Sequence, residues 1–157
     1  MQNPAQPNNV VEREIRIAAS PETIFPFFTD PEKMMRWKGV DNTLDARPGG
    51  MFRVNANGRD VVRGRYLEVT PYTRIVFTWG LEGENSPLPP GSTTVEVSLI
   101  PDNKATIVRL RHLDLPSEEQ RAFHAAGWDH YVPRLVLVVE GQDPGVDPWA
   151  ITKTMGD

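Results

Sequence analysis

The sequence predicts an α+β domain in which a curved antiparallel sheet of about six to seven strands wraps around one long C-terminal helix, with two short helices after the first strand. Three observations carry that expectation. Short alternating apolar and polar runs recur through the middle of the chain, separated by Gly and Pro clusters. Ser20-Pro21 and Asp30-Pro31 each place a capping oxygen before a proline suited to a first helical turn. A helical apolar stripe then fills the stretch from Ser117 to Glu140.

In chain order, residues 1–9 (MQNPAQPNN) are polar and proline-broken, with too little apolar surface to offset the entropy of ordering them, so a disordered lead is expected. Val11 to Ile17 alternates, with Val11, Ile15 and Ile17 in one phase and Glu12, Glu14 and Arg16 in the other. Arg13 falls in the apolar phase, where a strand-end arginine snorkels to water or pairs with a carboxylate. The two short helices bracket Ile24, Phe27, Phe28, Met34 and Trp37, and Pro26 should distort the first of them. Strand-like runs follow around Leu44 to Ala46, Met51 to Ala56 and Arg59 to Val69, with turns at Pro48, Gly49, Gly50 and Gly58.

The richest run is GRYLEVTPYTRIVFTW, Gly64 to Trp79, a hairpin that sends Ile75, Phe77 and Trp79 to one face and brings Tyr66 into the same sheet. Residues 80–92 make a long Gly- and Pro-rich connection, either a mobile lip or a plain hairpin loop. Thr94 to Ile100 and Ala105 to His112 complete the meander, with Val97, Leu110 and His112 in the inward phase and Arg109 and Arg111 on the solvated face. In the long helix, Ser117 and Gln120 have capping-box spacing. His124, Trp128, Tyr131, Val132, Leu135 and Val139 share one stripe, with His130 opposite. About 24 residues at ~1.5 Å each cross a whole sheet. Gly127 suggests close approach to another element, and Pro133 a bend. The tail 142–157 carries Asp147-Pro148-Trp149, the start signal of a short helix whose tryptophan needs a place to dock, on the parent domain or on a partner or second copy.

Composition limits what this domain does. The 157 residues, 39% of them hydrophobic, suit one core, and no apolar run approaches a membrane span. The chain has no cysteine, which removes disulfides and thiol chemistry and fits a cytoplasmic site. A net charge of -4 argues against nucleic acid as a partner. Hydrolase elbows, P-loops, zinc motifs and glycine fingerprints are missing. Asp41 with Asp45, and Asp143 with Asp147, read as turn residues. Neither metal nor cofactor is expected.

One strand, two short helices, six further strands and a long helix is the order of the helix-grip fold. Particular residues match one family within it. They are Asp30-Pro31-Glu32 with Trp37, Pro48-Gly49-Gly50 before Phe52, then Gly64, Tyr66, Glu68-Val69, Pro71, Arg74 to Trp79, His112, His124-Ala-Ala-Gly127-Trp128 and Leu135. On these the chain resembles the START-like (SRPBCC) superfamily, in the group named after the C-terminal domain of the activator of the ninety-kilodalton heat-shock chaperone ATPase. The resemblance spans roughly residues 10–141, which defines the expected domain. It departs at Lys38, where an aromatic often follows the tryptophan, and at Pro26, which implies a more polar or differently shaped pocket mouth.

Family membership implies a cavity between the helix and the sheet, but no reaction. The lining expected for it is Trp37, Phe52, Tyr66, Phe77, Trp79, Val97, Leu110, Trp128, Val132 and Leu135, with His112 and His124 as the sparse polar groups. The same spacing also fits a filled core, and both histidines also fit neutral hydrogen-bonded structural roles. Three functions stay open. A binding module for a small, mainly apolar or aromatic molecule comes first, then a cofactor-free cyclase-like or proton-transfer enzyme using His112 or His124. The family name supplies the third, a chaperone ATPase regulator acting through its surface.

Overall fold

A computed structural model describes residues 10–150; the polar lead 1–9 and the last residues of the tail, 151–157, lie outside that range. Seven strands form one antiparallel sheet: β1 (Val11–Ile17), β2 (Asp41–Leu44), β3 (Met51–Asn55), β4 (Val61–Thr70), β5 (Arg74–Trp79), β6 (Thr93–Asp102) and β7 (Ala105–Leu113). Their spatial order is β1-β7-β6-β5-β4-β3-β2. The strands after β1 are thus a simple meander, and β1 pairs beside the last of them, with Val11 opposite His112. The long helix α3 (Glu118–Val139) packs on the concave face, so the chain has the α+β helix-grip architecture its element order predicts. No helix among the described residues is long and apolar enough to cross a membrane.

The short helices form for the reasons visible in their caps. Ser20 accepts from Thr23 N before α1 (Pro21–Ile24), and Asp30 accepts from Glu32 N and Lys33 N before α2 (Pro31–Met35). Pro26 turns the end of α1 into a 3₁₀ segment, Phe25–Phe28. Helix α3 opens on Ser117, whose hydroxyl accepts from Gln120 N; the reciprocal half of the box is not made, because Gln120 Oε1 has no partner among the described residues. It ends where Gly141 takes φ +86° and Gln142 N reaches Leu137 O at 2.7 Å.

Two sequence expectations change, and of the two readings of the 80–92 connection the plain hairpin loop between β5 and β6 holds. The second strand runs over Asp41–Leu44 instead of Leu44 to Ala46, so Asp41 is a strand residue and not a turn residue. Its outer position and polar residues leave no alternating apolar signal to read. The connection 80–92 is tied down by fully buried Leu88 and a bridge between Val62 and Leu81. Gly127 approaches no other element, since a Cβ there would meet nothing within 4 Å. Close approach is instead permitted at glycines such as Gly64, where a Cβ would run into the Thr78 carbonyl beside the irregular register at Tyr66 and Glu68.

Arg13 follows its bland reading. It pairs with Asp129, Nε to Oδ1 at 2.6 Å, and ties β1 to the outer side of α3. Arg109 and Arg111 lie on the solvated face among Glu12, Glu14 and Glu96.

Candidate functional site

Alternation in β5 delivers Phe77 and Trp79 to the concave face as expected, but the rings meet each other instead of an open space. Phe77 stacks on Phe52 with centroids 4.1 Å apart, and Tyr66 meets Phe52 edge-on at 5.6 Å. The Tyr66 hydroxyl donates to Phe28 O at 2.9 Å, and Trp37 Nε1 donates to Phe27 O at 3.0 Å. Val97 is fully buried beneath them. Leu110, Val132 and Leu135 surround, with Trp37, Phe28 and Arg13, a void of only about 10 Å³, room for a water at most.

Trp79, Trp128, His112 and His124 form one hydrogen-bonded cluster. Trp79 Nε1 donates to His124 Nε2 at 3.2 Å, and Trp128 Nε1 donates to His112 Nδ1 at 3.1 Å. An indole nitrogen can only donate, so each histidine nitrogen it meets must be unprotonated. The tautomers follow. His124 carries its proton on Nδ1 and donates to Gln120 O at 2.9 Å. His112 carries its proton on Nε2 and donates to Thr93 Oγ1 at 2.9 Å, and Thr93 passes its own proton to Trp79 O at 2.9 Å. Burial, helped by the neighbouring His124 and Lys38, pushes the His112 imidazole down to about 2. Burial also lowers His124, against the opposing pull of the Gln120 carbonyl. Both rings are neutral with both nitrogens engaged.

The open space lies to one side of this cluster. A cavity of about 600 Å³ sits between the β3–β4 turn, the end of β5, the N-terminal half of α3 and the tail. Trp79, Trp128, Tyr131, Phe123 and Trp149 supply its rings, and Lys38, Asn57, Arg59, Asp60 and His124 its polar groups. Phe123 and Trp149 are 53% and 40% exposed, which puts them at the mouth. The tail holds its wall in place: Asp147 accepts from His130 Nε2 at 2.7 Å, and the Trp149 ring stacks on His130 at 3.8 Å, nearly parallel. His130 is therefore covered by the tail and docks the tryptophan on the parent domain. Gly127 faces the same space.

Lys38 is the unusual group on this wall, only 6% exposed. Gly39, at φ +100°, and Asn42, whose Nδ2 donates to Lys38 O at 3.1 Å, fix the backbone that turns the side chain inward after α2. Its Nζ lies 3.8 Å from the Tyr131 ring centroid, 5.4 Å from that of Trp79 and 5.6 Å from that of Trp128. Burial pushes the amine down to about 7, with Asp147 and Asp60 pulling the other way. The Tyr131 hydroxyl is buried without a hydrogen bond of good geometry among the described residues, and burial, then the Asp147 charge, holds its phenol above the usual value.

Of the twelve residues expected to line a site, Trp79, His124 and Trp128 reach the cavity. Trp37, Phe52, Tyr66, Phe77, Val97, Leu110, His112, Val132 and Leu135 lie in the packed interior beside it. Lys38 was visible only as a departure from the family pattern, and Tyr131 only as a member of the helix stripe. Ala56 to Asp60 and Trp149 carried no periodic signal pointing inward. Among the described residues no group of three or more His, Asp or Glu is arranged to hold a metal ion.

A concave seven-stranded sheet closed by a long helix, with a ring-lined cavity at one end, defines a helix-grip protein of the START-like class. Residues 18–140 match the family model described as Activator of Hsp90 ATPase homolog 1-like protein, and the chain belongs to that family. A solution structure of an AHSA1-like protein from Rhizobium etli is 44% identical over 89% of this chain and 87% of its own, with a TM-score of 0.71. The fold also matches a structure described as an HSP90 activator from Plasmodium falciparum (22% identity, 84% and 96% coverage, TM-score 0.69). A third match is a protein of the dynemicin biosynthetic locus (23% identity, TM-score 0.76), where 88% of this chain spans only 49% of that one. No protein of curated function matches the chain.

Proposed function

We propose that this protein binds a small, mainly apolar or aromatic molecule in the cavity beside Trp79 and Trp128. The supporting observation is the cavity itself: about 600 Å³, within the usual range for small-molecule sites, walled by rings and furnished with few polar groups. A packed domain of this size needs no such space, and closing it would bury more apolar surface. The proton-transfer reading through His112 or His124 has less support, because neither ring has a free nitrogen to offer a substrate. The activator role is that described for the Plasmodium protein, a chain 22% identical, and among the described residues no surface feature favours that reading over the cavity.

Gly127 supplies the test. A Cβ there meets no atom within 4 Å and Gly127 lines the cavity, so Gly127→Leu is expected to intrude on the site at little cost to the fold. Titrated with the neutral fluorophore N-phenyl-1-naphthylamine, the native protein is expected to give a saturable, blue-shifted emission that Gly127→Leu loses. Equal enhancement by both proteins would place the fluorophore elsewhere and defeat the proposal.

A further inference from the structure

We propose that Lys38 anchors an acidic group, so that the cavity takes a small aromatic monocarboxylic acid with its ring against Trp79 and Trp128 and its carboxylate on Lys38 Nζ. This rests on the cavity being a binding site and names the class of molecule it holds.

Lys38 is buried, yet among the described residues it makes no ion pair and its Nζ no hydrogen bond; ring faces are its only close partners. An ammonium carries three donors, and π-faces satisfy charge better than they satisfy donors. The nearby carboxylates are committed elsewhere. Asp147 Oδ1 accepts from His130 Nε2 at 2.7 Å and from Trp149 N at 3.0 Å, while Asp60 Oδ2 accepts from Asn57 Nδ2 at 3.0 Å. A buried cation that Asp147 and Asp60 act on through space without pairing with it, beside an open cavity, suits an anion that arrives from outside and contacts it directly. One ammonium matches a monoanion. A phosphate would ask for more buried donors than the wall provides, since Arg59, the other cation there, is exposed.

Proton linkage separates this anchor from a merely structural lysine. The groups facing Lys38 are Tyr131 and His124 from α3, His112 from β7, Asp60 before β4 and Asp147 of the tail. Both histidines are neutral; burial lowers the amine and Asp147 and Asp60 oppose it, which leaves it at about 7. At about pH 8 the empty site is therefore mostly uncharged, and a bound carboxylate restores the ammonium by drawing a proton from the buffer. At about pH 6 the proton is already present and little is taken up.

Isothermal titration of the full chain with 2-naphthoate and its neutral analogue 2-naphthamide tests the assignment. In the native protein at about pH 7, naphthoate is expected to bind roughly tenfold to a hundredfold more tightly than naphthamide. At about pH 8, comparing phosphate with Tris buffer, binding should take up a substantial fraction of one proton. Lys38→Met should erase the preference for the acid and keep naphthamide binding. The buffer comparison needs no variant, so it stands even if Lys38→Met folds poorly. Equal affinities with no proton uptake overturn the anchor and leave the cavity reading intact. Failure of both compounds to bind, with N-phenyl-1-naphthylamine also unbound, overturns both.

Discussion

Each inward histidine is held between an indole donor and a second hydrogen bond, and that arrangement makes protonation costly. Protonating His112 would put a proton on Nδ1, which already faces the Trp128 N–H at 3.1 Å, and His124 Nε2 faces Trp79 in the same way. The unfolded value near 6.5 falls to about 2 for His112 in the fold and is lowered for His124 as well. The folded state then binds fewer protons than the unfolded state below about 6.5, so this contribution to stability is complete above that pH and lost as pH falls. Each strongly shifted group steepens the loss by up to about 1.4 kcal/mol per pH unit. Asp129 and Glu82 are held below their ordinary values by Arg13 and Arg53, and they add to the loss only in more acidic solution. Urea unfolding between about pH 7 and pH 5 should therefore show falling stability, with a shallower dependence in His112→Gln. A flat profile in the native protein would contradict the neutral cluster. The inward phase of both histidines was legible from strand and helix periodicity. Their tautomers were not, because those depend on indoles that arrive from other elements.

At the scale of elements, the well-read segments are those whose two faces differ in polarity. In β5, Ile75, Phe77 and Trp79 alternate with less apolar neighbours and were placed on the correct face; α3 announced itself by Ser117 and its apolar stripe. Strand β2 offers Asp41, Asn42 and Thr43, whose extended shape comes from pairing with β3 and not from their own preference. The segment that turns Lys38 inward was equally silent, since Gly39 and Asn42 act through a positive φ and a side-chain bond to Lys38 O. The tail was legible only as a helix start with a tryptophan to dock; in the structure it is a strap that completes the cavity wall. Arg134 donates to Gly145 O at 3.0 Å and to Trp37 O at 3.2 Å, and the His130 contacts hold Trp149 beside Tyr131. His130→Ala removes the stacking and the Asp147 bond together. It is expected to release the tail, red-shift the Trp149 emission and weaken N-phenyl-1-naphthylamine binding several-fold, by roughly 1 kcal/mol. Unchanged emission and affinity would show that the strap is held without the histidine.

For the whole molecule, element order and family resemblance determined the helix-grip architecture, whereas the division of its interior into packed core and open cavity depended on how rings meet across elements. Phe52, Tyr66 and Phe77 close on one another, and the space remains where the β3–β4 turn, α3 and the tail do not quite meet. The four tryptophans report on that division, because Trp79, Trp128 and Trp149 line the cavity while Trp37 is held in the core by Phe27 O. Their indole N–H resonances are resolved from the amide region in a proton–nitrogen correlation spectrum. Titration with 2-naphthamide is expected to shift the resonances of Trp79, Trp128 and Trp149 saturably and to leave Trp37 in place; shifts confined to Trp37, or no shift in any of the four, would contradict a ligand site in this cavity.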